Sequence, residues 1–279
     1  MGLGEWLMQK ARVPMAAVNL VKIPDNVSGD QALLLSDIFP TGYFGAELAD
    51  IKPGHTVAVF GCGPVGQFVI ASAKHLRAGR IFAIDTVPGR LARARAQGAE
   101  VIDYNKEDPI ETIQRLTGGI GVDRAIDAVG VDANAPDAGP AAQKEQRLTP
   151  QFQREVSTIA PQQHPSNGNW HPGNAPSQVH TWAVRALAKA GTLSIIGVYP
   201  RTDQFIPIGA AMMKNLTIKI GNCNHRKYIP MLMELVQAGV IDPSRVLSQL
   251  APISDAIEAY KRFNERQAGW LKVELAPAG

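Results

Sequence analysis

The sequence has little of what a disulfide-bonded, membrane-spanning or nucleic-acid-binding protein needs. Its 279 residues include 2 cysteines, far apart, which allow at most one disulfide and no cysteine-rich metal motif. No apolar run is long enough to span a bilayer, and the first residues lack the apolar core of a signal peptide. The net charge of +3 is too small, and the basic residues too dispersed, to indicate nucleic-acid binding. These absences predict a cytoplasmic protein that binds neither a membrane nor nucleic acid.

What the sequence does contain is apolar residues in short, regularly spaced runs. A hydrophobic content of 45% excludes global disorder, and the length leaves room for about two domains. The runs alternate with helical patterns, which is typical of a parallel sheet covered by helices on both faces. The predicted strands are 56–60, 80–85, 101–104, 123–130, 192–199 and 216–220. The predicted fold class is therefore α/β, with a doubly wound, Rossmann-type parallel sheet.

One stretch, residues 135–179, breaks this alternation. Seven prolines lie in it among Gln, Asn, Ser and Gly. So long an irregular segment inside a domain is usually a functional or partly disordered loop. Its histidines, His164, His171 and His180, match no zinc-binding spacing, and we expect them to be solvated loop side chains.

A glycine-rich turn lies between the first predicted strand and the helix that follows it. Six consecutive residues form a G-x-G-x-x-G pattern: Gly61, Cys62, Gly63, Pro64, Val65 and Gly66. Such glycines permit a tight turn, let the backbone approach a pyrophosphate and let the helix pack on the strand. The positive N-terminal end of the helix also attracts phosphates. We predict a dinucleotide site here, and a glycine turn needed only for packing is the alternative.

Asp85 ends the second predicted strand, at the distance from this turn that a dinucleotide site requires. We predict that its carboxylate accepts hydrogen bonds from ribose hydroxyls and repels the extra phosphate of NADP, so that the cofactor is NAD. The alternative is a helix-capping carboxylate. Arg90 either stacks on or bonds to the adenosine end of the cofactor, or is a solvated helix charge.

Two further strand ends face the same crevice, because ligands of open α/β sheets lie beyond the carboxyl ends of the strands. Their residues are Val129, Gly130, Gly197, Val198 and Tyr199. We predict that backbone groups there bind the nicotinamide carboxamide. Ordinary strand termination by glycine explains the same residues equally well.

Four short segments form a specific combination. They are SDIFPTGY at 36–43, VAVFGCGPVG at 57–66, AID at 83–85 and GTLSIIGVY at 191–199. Together they resemble the zinc-type alcohol dehydrogenases of the medium-chain dehydrogenase/reductase superfamily. The likeness is greatest to the glutathione-independent formaldehyde dehydrogenase branch, whose tail carries an element like AGVIDPS at 238–244.

The resemblance implies a domain organisation. Residues 43–224 would form the NAD-binding Rossmann domain, and residues 1–42 a remnant of a second, GroES-like catalytic domain. Residues 225–279 would form C-terminal helices and a strand that partly return to that catalytic domain.

The resemblance also assigns two residues to the reaction centre. In that branch the Asp of S-D-I binds the catalytic zinc and the Thr of P-T-G-Y lies against the nicotinamide, which gives these roles to Asp37 and Thr41. From the residues alone, Asp37 would be a capping or salt-bridging carboxylate. The family's other zinc ligands precede the segment that begins this chain, and neither Cys62 nor Cys223 matches a ligand position. Catalytic zinc needs three protein ligands, so we expect an orphan zinc ligand at Asp37 and an incomplete site.

The activity implied by the resemblance is hydride transfer between an alcohol or a hydrated aldehyde and NAD. With one zinc ligand and part of the cleft, we expect a truncated chain that is weakly active or inactive alone. Two alternatives stay open: a zinc-independent NAD(P)H reductase, with Tyr43 as its acid, and a non-catalytic NAD-binding or assembly module. The resemblance further implies a homo-oligomer formed through the edge of the cofactor-domain sheet, and an unpaired edge favours such pairing.

Overall fold

The computed structural model describes residues 12–160 and 172–277. Over these residues the strands are β1 (Thr56–Phe60), β2 (Arg80–Asp85), β3 (Glu100–Asp103), β4 (Val122–Asp127), β5 (Leu187–Ile195), β6 (Thr217–Ile220), β7 (Gln249–Pro252) and β8 (Val273–Ala276). The α-helices are α1 (Ala16–Asn19), α2 (Gly29–Leu35), α3 (Ile38–Leu48), α4 (Pro64–His75), α5 (Pro88–Ala96), α6 (Pro109–Leu116), α7 (Gly139–Glu145), α8 (Thr149–Ile159), α9 (Gln178–Ala186), α10 (Ile208–Met213), α11 (His225–Gln237) and α12 (Ala256–Asn264). In the described ranges, no helix is both long and apolar enough to cross a membrane.

The chain divides into two compact units. The larger unit is Thr41–Cys223, and the smaller unit combines Met1–Pro40 with Asn224–Gly279. The larger unit contains a six-stranded parallel sheet in the order β3-β2-β1-β4-β5-β6. This order reverses direction between β1 and β4, which is where doubly wound sheets bind ligands. The predicted α/β fold class is confirmed.

The core of the larger unit is divided between the two faces of the sheet, because side chains alternate along each strand. Val57 and Val59 of β1 pack on one face, with residues of α3, α4 and α5, whereas Ala58 and Phe60 pack on the other, with residues of α6 and α9. Successive side chains of a strand point to opposite faces, so a strand that is apolar throughout is covered on both sides. The local sequence pattern therefore predicts this architecture correctly.

The smaller unit is held by caps and by a short parallel pair, β7 with β8. The N-terminus of α2 carries a capping box, in which the Ser28 hydroxyl accepts from the Gln31 amide and the Gln31 side chain accepts from the Ser28 amide. The Gln31 side chain also donates to Asp242 Oδ1 at 3.2 Å, which links α2 to the C-terminal part of the unit.

The structure corrects the prediction of an irregular loop at 135–179. Residues 139–145 and 149–159 form α7 and α8, whose first turns contain Pro140 and Pro150. Proline is tolerated in the first helical turn, where its missing N–H would have no intrahelical partner, so these prolines begin helices and do not break them. Glu155 of α8 is fully buried and accepts hydrogen bonds from the amide and the hydroxyl of Ser177.

The histidines of this stretch also need a correction. His180 lies in α9 and is only 3% exposed, so the prediction of a solvated loop side chain is wrong for it. His164 and His171 lie outside the described residues.

Candidate functional site

The glycine-rich turn joins β1 to α4, and its glycines meet different constraints. Gly61 has φ +89°, and a Cβ there would lie 2.5 Å from Val129 Cγ2. A Cβ on Gly66 would lie 1.9 Å from the carbonyl oxygen of Gly61, so close packing excludes any side chain. At Gly63 the nearest atom to such a Cβ is a guanidinium nitrogen of Arg90, 3.9 Å away. The first and third glycines are therefore required by the fold, while the second leaves the backbone open for a ligand.

The N-terminus of α4 offers donors at this opening. Gly63 is its N-cap and Pro64 its first residue, and the first turn contains no acidic side chain. The amides of Val65 and Gly66 lie in that first turn, where N–H groups have no carbonyl partner within the helix. Together with the positive end of the helix dipole, these groups fit a pyrophosphate.

Asp85, the last residue of β2, holds the turn from the other side. Its Oδ2 accepts from the Cys62 amide at 2.8 Å, and its Oδ1 accepts from the amides of Thr86 and Val87 at 2.7 and 2.9 Å. The N-cap of α5 is Val87, so the helix-capping alternative for Asp85 is wrong. Asp85 is 7% exposed and joins two backbone segments at the place where a ribose would lie; its contact with the ribose stays a prediction.

Arg90 turns back toward this carboxylate. Its NH1 lies 3.8 Å from Asp85 Oδ2 and its side chain is 16% exposed, so it is not a solvated helix charge. The Cys62 side chain is fully buried. Burial, followed by the negative charge of Asp85, raises the pKa of the Cys62 thiol well above its ordinary value. Cys62 therefore contributes its backbone to the site, and its thiol packs in the core.

Gln67 is a residue of this turn that the sequence analysis missed. It is buried, and its Nε2 donates to the carbonyl oxygens of Cys62 and Arg90 at 2.8 and 3.0 Å. It thereby ties α4 to both sides of the site. A polar residue on the buried face of α4, directly after the motif, was the available signal.

The second part of the site lies where β4 and β5 end. Val129, Gly130, Gly197, Val198 and Tyr199 all follow their strands, because β4 ends at residue 127 and β5 at residue 195. The predicted strands 123–130 and 192–199 are therefore too long at their carboxyl ends. The two segments touch: a Cβ on Gly197 would lie 2.2 Å from the Gly130 amide nitrogen, and the Val131 amide donates to Val198 O at 3.0 Å.

Asp127, the last residue of β4, connects these two segments. It is fully buried, and its Oδ1 accepts from the amides of Val129 and Gly130 at 2.9 and 3.1 Å. Its main-chain oxygen accepts from the amides of Ile196 and Gly197 at 3.1 and 3.0 Å. The sequence analysis did not single it out, although a carboxylate inside an apolar strand was a visible signal.

The half-buried Tyr199 and the buried His180 complete a polar cluster on the buried Asp127. The Tyr199 hydroxyl donates to Asp127 Oδ2 at 2.6 Å, and the ring of His180 lies 4.4 Å from the Tyr199 ring, centroid to centroid. His180 Nε2 lies 3.7 Å from Asp127 Oδ2. Burial, then the charge of Asp127, raises the pKa of Tyr199 well above its ordinary value, so its hydroxyl stays a donor at neutral pH.

The residues assigned by resemblance lie in different units. Thr41 belongs to α3 at the start of the larger unit, and Asp37 belongs to the smaller unit. Asp37 is exposed, and its Oδ1 lies 3.1 Å from His225 Nε2, a partner that the sequence analysis did not predict. Among the residues that the structure describes, no group of three His, Cys, Asp or Glu side chains could hold a metal ion. These residues do not make a zinc site.

Comparison with known proteins agrees with this geometry. A family profile described as "Zinc-binding dehydrogenase" matches residues 64–147. The uncharacterized zinc-type alcohol dehydrogenase-like protein AdhB of Bacillus subtilis (strain 168) is 32% identical over 270 residues, covering 95% of this chain and 65% of AdhB. The glutathione-independent formaldehyde dehydrogenase of Pseudomonas aeruginosa (strain LESB58) is 31% identical over 286 residues, covering 94% and 63%.

A solved structure extends the likeness to three dimensions. The alcohol dehydrogenase TADH from Thermus sp. ATN1 superposes with a TM-score of 0.74 at 30% identity, covering 95% of this chain and 64% of TADH. The chain thus spans less than two thirds of the length of these relatives. Over the residues it spans, the chain belongs to the zinc-type alcohol dehydrogenase-like family of the medium-chain dehydrogenase/reductase superfamily.

Proposed function

We propose that this chain binds NAD at the glycine-rich turn and takes part in hydride transfer between NAD and an alcohol or a hydrated aldehyde. The observation that carries the proposal is the opening at Gly63, where the backbone is uncovered between the N-terminus of α4 and the carboxylate of Asp85. Helix donors for a pyrophosphate and a carboxylate for a ribose are the two features a dinucleotide site needs. When bound, NAD would supply the hydride acceptor, and the chain would hold and orient it.

Asp85 supports NAD over NADP on electrostatic grounds. Its carboxylate is 7% exposed. A 2′-phosphate about 4 Å from a carboxylate is repelled by about 4 kcal/mol at an effective dielectric constant of about 20. Arg90 lies 3.8 Å from Asp85 and offsets part of this repulsion. We therefore expect NAD to bind at least about tenfold more tightly than NADP, which corresponds to about 1.4 kcal/mol.

Titration calorimetry with NAD and with NADP tests this proposal. Tighter binding of NAD supports both the site and the role of Asp85. Equal affinity for the two cofactors would refute the assignment to NAD, and absence of binding to either would refute the proposed function.

We propose that the chain alone reduces NAD slowly or not at all with short alcohols or formaldehyde, because catalytic zinc needs three protein ligands and the described residues contain no group of three His, Cys, Asp or Glu side chains that could hold a metal ion. Metal analysis should then find less than one zinc per chain. One tightly held zinc per chain, or turnover that is lost in Asp37→Ala, would contradict this part of the proposal.

The edge of the large sheet favours a second candidate function, a non-catalytic NAD-binding or assembly module that forms a homo-oligomer. Among the strands that the structure describes, β6 pairs only with β5, and Ile220 on β6 is 64% exposed. Met212 and Met213, at the end of α10, are 75% and 79% exposed. Exposed apolar residues beside an unpaired strand favour pairing with another copy. Light scattering of the wild type and of Ile220→Glu tests this: an oligomer that the substitution dissociates supports the module, and a wild-type monomer argues against it.

A further inference from the structure

We propose that Asp127, Tyr199 and His180 are positioning residues for the nicotinamide end of the cofactor. Their buried contacts hold the ends of β4 and β5 in the arrangement that receives the nicotinamide ring and its carboxamide. This inference rests on the proposed binding of NAD, and it assigns a role to a polar cluster that the glycine-rich turn does not use.

One residue, Asp127, holds both strand ends. Asp127 Oδ1 accepts from the two amides that follow β4, and its main-chain oxygen accepts from the two amides that follow β5. Gly130 and Gly197 meet there without side chains between them, and neither position has room for a Cβ. Val198, beside this contact, is 76% exposed. A flat ring can therefore approach the backbone at this place, and Asp127 determines the shape of that backbone.

The orientation of the Asp127 carboxylate is fixed through both of its oxygens. A carboxylate can rotate about its last side-chain bond unless both oxygens are engaged. Oδ1 is engaged by two backbone amides, and Oδ2 accepts the short hydrogen bond of 2.6 Å from the Tyr199 hydroxyl. Tyr199 lies directly after Val198 in the segment that follows β5, so this hydrogen bond also ties that exposed segment to β4. Removing the hydroxyl would release the carboxylate and the segment together.

His180 packs against this hydrogen-bonded pair. Its Nδ1 lies 3.3 Å from Phe205 O. A carbonyl oxygen only accepts, so the bond requires the proton on Nδ1. With the proton on Nδ1, Nε2 has no hydrogen-bond partner among the described residues, and it lies 3.7 Å from Asp127 Oδ2. The ring thus packs against Tyr199 at the cost of an unsatisfied nitrogen, and such compromises are expected where function constrains the structure.

The test compares NAD with ADP-ribose, which keeps the adenosine, pyrophosphate and second ribose but lacks the nicotinamide. Titration calorimetry gives both dissociation constants for the wild type and for Tyr199→Phe. We expect Tyr199→Phe to weaken NAD binding about tenfold, as the loss of one orienting hydrogen bond to a charged group implies. ADP-ribose binding should stay within about twofold of the wild type, because its contacts lie at the glycine-rich turn.

A matched control lies at the other end of the same strand. The Thr56 hydroxyl donates to Asp123 Oδ2 at 2.8 Å, and Asp123 lies at the amino end of β4. Thr56→Val therefore removes a hydroxyl–carboxylate bond from the same sheet, far from its carboxyl edge. We expect it to leave the ratio of the two dissociation constants unchanged.

Two further variants keep the test decisive if Tyr199→Phe folds poorly. Asp127→Asn keeps an oxygen for the amides of Val129 and Gly130, and its NH2 group can donate to the Tyr199 oxygen or to His180 Nε2. It should therefore preserve the ratio within about threefold. His180→Ala removes the ring that packs on Tyr199 and should lower NAD affinity selectively, by about threefold or more.

The outcomes separate this inference from the proposed function. A wild-type chain that binds neither ligand would refute the proposed function and the inference with it. A wild type that binds ADP-ribose as tightly as NAD would overturn the inference alone. So would a Tyr199→Phe variant that weakens both ligands equally or neither, or an Asp127→Asn variant that loses as much selectivity as Tyr199→Phe.

Discussion

The carboxylate of Asp85 is the sharpest place to perturb the glycine-rich turn. It accepts from three backbone amides, of which the Cys62 amide belongs to a fully buried residue. Asp85→Asn keeps the size of the side chain and replaces one oxygen by an NH2 group. The amide oxygen can still accept from Thr86 and Val87, but the NH2 group then faces the Cys62 N–H, and two donors meet at 2.8 Å. The opposite orientation is worse, since two amides would then face the NH2 group.

The magnitude follows from these contacts. A hydrogen bond to a charged group contributes about 1.5–3 kcal/mol, and a buried donor left without an acceptor costs about 1–3 kcal/mol. Since these two terms describe the same bond, we expect Asp85→Asn to lower the free energy of unfolding by about 2–3 kcal/mol. The same change should weaken NAD binding and reduce the preference for NAD over NADP, because the charge that repels the 2′-phosphate is gone.

Urea unfolding and cofactor calorimetry measure the two effects, and the neighbouring strand supplies the control. Asp103 is the register partner of Asp85 on β3, and its Oδ2 pairs with the exposed Lys106. Its Oδ1 accepts from the Thr86 hydroxyl and the Asn105 amide, both at 3.1 Å. In Asp103→Asn the amide oxygen can keep these two bonds and only the pair with Lys106 is lost, so we expect a loss of about 1 kcal/mol or less. Equal unfolding free energies for the two variants, with NAD binding unchanged in both, would refute the reasoning.

The remaining predictions concern packing, reactivity and pH. Gly66→Ala should abolish NAD binding and lower the melting temperature, because its Cβ would lie 1.9 Å from a carbonyl oxygen. Gly89→Ala is the control: a Cβ there would have no atom within 4 Å, so this variant should be neutral or stabilised by up to about 1 kcal/mol. Equal melting temperatures for the two variants would contradict this prediction. A thiol reagent should modify the half-buried Cys223 in the folded chain and reach Cys62 only after denaturation; rapid modification of both would show that the turn opens. Burial raises the pKa of Asp108, but helix amides and a lysine outweigh it and lower the pKa overall. The stabilising charge is therefore present at neutral pH and lost as the pH falls below about 4, so unfolding curves of the wild type and Asp108→Asn should differ at pH 7 and converge in acid; a constant difference would disprove the assignment.

Short-range features of this protein were readable from its sequence. The central strands β1 and β2 are apolar over consecutive residues. The glycines of the motif are required by contacts within a few residues along the chain, such as Gly66 against Gly61. Asp85 was placed correctly at the end of β2 because strand length and motif spacing are local quantities. The segment 135–179 was misjudged because proline weighs against a helix in its interior and not in its first turn, and composition alone does not distinguish the two positions.

Other features depend on which strands become neighbours. Asp127 meets Tyr199 from 72 positions away along the chain, and Asp37 meets His225 from 188 positions away. Periodicity in a window of sequence contains no information on such pairs, because the strand order of the sheet decides which carboxyl ends share an edge. The sequence by itself determined the fold class, the glycine-rich turn and the family resemblance. Only the tertiary structure decided that a carboxylate, a phenol and an imidazole form one polar cluster, since the hydrogen bond from Tyr199 to Asp127 exists only after β4 and β5 have paired.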